Sequence, residues 1–315
     1  MKRLLGVGFC VCVVWGLAFA DTFGTGGNQF TIDFVNISGD AGNLGSWPAG
    51  SGYTFSGVNH GDYRMGKFEI TNDQWDRFKA EYGTVAGSPS SAYDYNPYFT
   101  GTNVPTNCVS WYEAAQFVNW LNTSSGKSAA YKFTGTQGTS NYTLEVWQPG
   151  DTGYDVSNPY RNSNAYYFLP TEDEWVKAAY WNGTNLQTWA TVGDVAPTQS
   201  GWNFYDNGYA TDPYGPWDVG SGFEELNGTF DMMANLWEWM ESPYYSGDYL
   251  SGSYRGYRGG SCNHMGLNLR SSSTRYYFYP DVEGSLMGFR VASVPEPMSL
   301  LLLGLGGLSL RRRKK

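Results

Sequence analysis

The sequence predicts a single α+β domain with little regular secondary structure. Three observations point to this class. Strong helix starts are few, and long stretches rich in Gly, Ser, Asn and Tyr separate them. In addition, 17% of the residues are aromatic and Gly numbers 41. A core built from Trp and Tyr between glycine-rich turns fits this composition, and a helical bundle does not.

The chain opens MKRLLGVGFCVCVVWGLAFA. Lys2 and Arg3 give a positive start, residues 4–17 an apolar run, and Ala18-Phe19-Ala20 a small-x-small cleavage site. This is the pattern of a secretory signal, with Asp21 as the first residue after cleavage. The other reading, a membrane anchor, suffers from a run short of the roughly 20 residues that a span needs.

Three helices follow from capping boxes, in which Ser or Thr precedes Glu or Gln by three residues. Thr71 with Gln74 opens a helix that stops at Gly83, with Trp75, Phe78 and Tyr82 on one face. Ser110 with Glu113 opens the second, with Trp111, Ala114, Ala115, Val118 and Leu121 inward. Thr171 with Glu174 opens the third, behind Pro170. A short extended segment precedes each, at 63–70, 107–109 and 166–169. Between the helices lie long loops, 84–106, 122–165 and 182–229. Their interleaved aromatics argue against disordered linkers; loops of that length are usually functional or held by something other than their own core.

At the other end, Pro295, Glu296 and Pro297 precede an apolar run, 298–310, and five cations close the chain. Thirteen apolar residues barely cross a bilayer, and the basic cluster should stay cytoplasmic. With both ends set aside, residues 21–293 form the domain and carry 13 cations against 28 carboxylates. An excess of that size argues against nucleic acid and anionic lipid as partners and permits cations. Cys108 and Cys262 are the only thiols left, too few for a disulfide scaffold or a cysteine-rich metal site. In an oxidising compartment they could join as a disulfide; two buried free thiols are the alternative.

The C-terminal segment 294–315, with its Val-Pro-Glu-Pro motif, Leu-rich run and Arg-rich finish, resembles the PEP-CTERM sorting signal of bacteria that export exopolysaccharide. The resemblance implies an exosortase-type partner, contact with the membrane only in transit, and release or attachment at the cell surface, in the extracellular matrix or in the periplasm. The domain resembles the formylglycine-generating enzyme, or sulfatase-modifying factor, family. The match rests on six segments in order: MGKFEITNDQW, VPTNCVSWYEAAQFVNWLN, FLPTEDEWVKAAY, GTFDMMANLWEWMES, YRGGS and MGFRVAS. This implies a variant of the C-type lectin fold.

The family's catalyst is a copper-dependent oxidase that turns a sulfatase cysteine into formylglycine. Its two metal-binding thiolates follow the Gly-Gly-Ser motif, at positions that here are His264 and Leu269. Two thiolates make the soft site that Cu(I) needs, and Cys262 alone cannot replace them. A second, iron-dependent branch uses three histidines, whereas this chain has His60 and His264 alone. Neither copper nor iron is therefore expected. Two calcium sites of the family carry over better. Asp231 and Glu238, with the carbonyls of Ala234 and Leu236, match one; Asn203 and Asp212, with the carbonyls of Phe204 and Tyr214, match the other more loosely. Ala234 stands where relatives usually have Gly, and the bland alternative is that these groups cap turns without metal.

Two function classes remain. The first is a calcium-stabilised binding or structural module at the surface, with an aromatic-lined groove for a glycan or a protein. The second is an enzyme, either of the formylglycine-generating type or a related oxidoreductase. No nucleophile–base pair in the sequence speaks for the second.

Overall fold

The computed structural model describes residues 19–41, 61–205, 215–263, 272 and 274–295. All three helices start at their expected caps: α1 (Asn72–Tyr82), α2 (Trp111–Ser124) and α3 (Glu172–Tyr180). In each box the Ser or Thr hydroxyl accepts the third helical amide, and the Gln or Glu side chain accepts the cap's own amide.

Helix α2 is buried from Trp111 to Asn122, not on one stripe alone. The five expected inward residues are fully buried, and its polar face spends its groups on loop backbone. Asn119 pairs in both senses with the Tyr131 backbone, and Asn122 does so with Tyr167. A helix that supplies hydrogen bonds all round can hold irregular chain on every side.

Eleven short strands are described. β1 (Phe19–Phe23), β2 (Phe30–Ile37), β3 (Tyr63–Gly66), β6 (Tyr167–Phe168) and β11 (Ala292–Ser293) form an antiparallel sheet in the order β1-β2-β3-β11-β6. The second sheet, β10-β7-β8-β9, comprises β7 (Trp237–Pro243), β8 (Arg255–Arg258), β9 (Tyr276–Phe278) and β10 (Met287–Gly288). A hairpin of β4 (Lys132–Thr134) and β5 (Thr143–Glu145) interrupts the expected loop 122–165. β1 spans the expected cleavage point: Asp21 pairs with Ile32, and its carboxylate takes the Arg64 guanidinium at 2.6 Å.

The expected extended segment at 107–109 is not a strand. Cys108 sits at φ 55°, and the Asn107 amide binds the Tyr98 and Phe99 amides and the Phe99 and Pro105 carbonyls. These four bonds replace a ladder with a knot. The allowed Cys108–Cys262 disulfide is also not made, for both are buried free thiols. Each thiol has its own seat: the Cys108 amide bonds Gly284, and the Cys262 amide bonds Asn235.

Buried arginines hold the loops. Arg161 joins Glu174 at the start of α3 to Glu241 in β7, both at 2.8 Å. Arg258 and Arg275 share Glu172, and Arg290 grips Glu238. All but the Arg161–Glu174 bond tie segments more than 50 residues apart in sequence, which answers what holds a domain with so little regular structure.

Candidate functional site

Two regions gather the groups of chemical interest. The first is a buried acidic hub on the loop before β7. The Arg290 guanidinium donates Nε to Glu238 Oε2 at 2.7 Å and an amine to Oε1 at 2.5 Å, and its other protons reach the carbonyls of Gly66 and Phe230. The Trp175 indole also donates to Glu238 Oε2. Around this pair lie three further buried carboxyls. Glu69 accepts the Leu236 amide and the Asn235 side chain, Glu225 accepts the Met232 and Met233 amides, and Asp231 accepts the Gly220 amide at 2.9 Å.

One arginine cannot neutralise four carboxylates, and the acidities of Asp231, Glu225 and Glu69 shift. Burial pushes Asp231 up to about 6, with Glu238 adding to the rise, and Glu225 up to about 8, with Asp231 adding to it. Glu69 is driven well above the carboxylate range by burial and by Asp231 and Glu238. Asp231, Ala234 and Asn235 all hold positive φ, at 61°, 77° and 56°. Backbone of this kind persists only where its surroundings force it.

The expected calcium ligands are distributed unevenly over this hub. Asp231 has one oxygen without a hydrogen bond among the described residues, and a buried carboxylate of that kind suits a hard cation. Glu238 could serve only in addition to its Arg290 and Trp175 bonds. In the looser set, the Asn203 amide donates to Gly215 and Asn235, and the Phe204 carbonyl already accepts Gln199 at 2.7 Å. Asp212 and Tyr214 lie outside the described residues, as do His60, His264, Leu269, Glu296 and Pro297. Among the described residues no three of His, Cys, Asp and Glu group as a metal cluster. Ala234 at φ 77° carries the strain of a left-handed β-carbon. Ala234→Gly should therefore raise stability by about 1 kcal/mol in thermal or denaturant unfolding, and a loss would contradict the strain.

The second region is an aromatic groove. A cleft of about 770 Å³ runs between Tyr98, Phe99 and Val104 on one wall and Pro216 and Trp217 on the other. Gly215, at φ 126°, lies where an added β-carbon would meet the Phe99 ring at 3.0 Å. A recess of about 530 Å³, lined by Tyr95, Pro97, Cys108, Glu283 and Ser285, shares the Tyr98 wall. The wall is rigid because Asn107 holds Tyr98 and Phe99 while Glu283 accepts the Asp94 and Tyr95 amides. Tyr95 and Tyr98 are 65% and 70% exposed, so their rings are presented to solvent by a pinned backbone.

Neither thiol near these regions is activated. Burial raises the Cys108 thiol, and Glu283 and Glu113 raise it further; burial and Glu69 push Cys262 up to about 12. Both are neutral thiols at physiological pH, poor as nucleophiles or metal ligands. Burial raises the Glu113 and Glu283 carboxyls, and the charge of Glu283 adds to the rise at Glu113. The roles of Arg290, Glu69, Asn107 and Glu283 could not be read in the sequence. Their segments were visible, but their partners lie up to 224 residues away.

A sulfatase-modifying factor enzyme 1-like domain matches residues 38–294, and a PEP-CTERM protein-sorting motif matches residues 293–315. The chaperone protein LppX of Paenibacillus barcinonensis is 25% identical over 254 residues, 74% of this chain and 80% of its own. Among solved structures, CarF superposes with a TM-score of 0.61 at 22% identity, covering 84% of this chain and 99% of its own. Treponema denticola variable protein 1 gives 0.59 at 20%, covering 88% and 99%. PvdO from Pseudomonas aeruginosa gives 0.56 at 16%, covering 87% and 98%. These likenesses establish the α+β fold, and the sorting motif marks an exported bacterial protein. By the domain match over most of its length, the chain belongs to the sulfatase-modifying factor enzyme 1-like family.

Proposed function

We propose that this domain is an exported binding module that presents the aromatic groove to a ligand at the cell surface, and that it does not perform the family's oxidase chemistry. The observation that carries the reading is the groove itself: exposed Tyr95 and Tyr98 on a backbone clamped by Asn107 and Glu283, above a floor whose thiol is neutral. A rigid aromatic wall lowers the ordering cost of binding, which is how a preformed site gains affinity.

The sequence supports the negative half. No cysteine stands anywhere in 263–275, where the family places its thiolate pair. Copper chemistry of that kind has no ligand set here. We also propose a structural calcium ion, held chiefly by Asp231 with help from Glu238 and the carbonyls of Ala234 and Leu236. It would supply the charge that the four-carboxyl hub lacks. Export by an exosortase-type system would leave the domain at the surface, in the matrix or in the periplasm, facing glycans and proteins.

Arrays of glycans and extended peptides, probed with the full chain, test the groove. Binding should fall about tenfold or more in Tyr98→Ala and in Trp217→Ala, since buried aromatic anchors dominate such sites. Binding that neither substitution alters, or no bound feature at all, would contradict the reading.

A further inference from the structure

We propose that a second surface, the tyrosine cluster on the outer end of the β10-β7-β8-β9 sheet, binds an uncharged polysaccharide. It lies on the β8–β9 edge and stands independently of the groove.

The cluster is built from Tyr244, Tyr245, Tyr254, Tyr277 and Tyr279. Tyr277 meets Tyr244 at 4.2 Å and Tyr254 at 4.8 Å between ring centres, and Tyr279 meets Tyr254 at 4.2 Å. Tyr245 completes the cluster, 5.1 Å from Tyr244 and 6.1 Å from Tyr277 between ring centres. The rings are thus fixed relative to one another, yet Tyr245 and Tyr279 are each 53% exposed. A monomeric protein seldom fixes so many phenols at its surface without use. Each ring offers an apolar face, and each phenol a hydroxyl that can donate and accept hydrogen bonds at its rim. That combination matches a sugar, which has an apolar C–H face and a hydroxyl edge.

Charge selects the occupant. Among the described residues the cation against the cluster is Arg275, which lies 3.9 Å over the Tyr244 ring and is held by Glu172 at 2.7 Å. Among the described residues no further cationic group is offered to an anionic polymer, and the domain's carboxylate excess repels one. The same excess opposes pairing with a second copy of the chain. An uncharged polymer meets neither penalty.

Affinity electrophoresis of the full chain in mild detergent, through gels containing dextran, laminarin, hydroxyethyl cellulose or alginate, tests this. Mobility should fall in at least one neutral gel, equally at low and high salt, and remain unchanged in alginate. Tyr245→Ala combined with Tyr279→Ala should weaken the retardation about tenfold or more, with the thermal midpoint kept. Tyr98→Ala and Trp217→Ala should leave it intact, which separates this surface from the groove. Unaltered mobility in every neutral gel, retardation confined to alginate, or retention by the double variant would overturn the proposal. So would a concentration-dependent dimer that the double variant dissolves, since that assigns the cluster to self-association.

Discussion

Arg290→Met is expected to destabilise the domain by about 3–5 kcal/mol, the range for removing one partner of a buried ion pair. Arg290 and Glu238 are both fully buried, and the guanidinium joins β7 to the end of β3 at Gly66 and to the loop at Phe230. Without it, Glu238 would remain beside Glu69 and Asp231 with no compensating cation, so the loss exceeds that of the hydrogen bonds alone. For a domain of this size the midpoint should fall on the order of 10 °C. Arg290→Met combined with Glu238→Leu should cost less than the sum of its parts, because the stranded charge is gone. A single variant within about 1 kcal/mol of the parent would show that the hub carries little of the fold.

Calcium should raise stability by about 2.7 kcal/mol at a hundredfold excess over its Kd. The shift should be missing in magnesium and largely lost in Asp231→Asn, which should still fold at high calcium. The hub's acidities add a pH signature. Burial lifts Asp231 from 3.8 to about 6 and Glu225 from 4.5 to about 8. Across those intervals the folded state holds protons that the unfolded state has released. In chelator, stability should therefore be greatest below about pH 4 for these two groups and should decline as pH rises towards 8. Bound calcium favours ionised Asp231 and should flatten the lower part of that slope. Equal midpoints in chelator, calcium and magnesium would leave Asp231 and Glu238 as turn and ion-pair groups only.

The fold was legible where its causes are local. The hydroxyls of Thr71, Ser110 and Thr171 and the acids or amide three residues on announced all three helix starts, since both halves of each box lie within one turn. What remained hidden depends on distant partners. Nothing near Asn107 signals that its amide will close on Tyr98 and Phe99, and so 107–109 reads as extended. The two-residue strands β6, β10 and β11 exist only because neighbours supply their ladders. An aromatic-lined groove was expected without named walls; the residues lining this cleft could not be read, because Trp217 and Tyr98 stand 119 residues apart in the sequence. Glu238 was read as a metal ligand from its motif; that Arg290 occupies its carboxylate became visible only once the loops were closed.

The most direct measurement is aldehyde formation. Purified full chain would be incubated in air with a sulfatase-type cysteine peptide, with and without copper, and the peptide followed by mass spectrometry and hydrazide capture. The account predicts no formylglycine above that made by Cys262→Ala under the same conditions. Turnover that depends on copper and is lost in Cys262→Ala would make this chain an oxidase with an unrecognised ligand set, and would contradict the central claim.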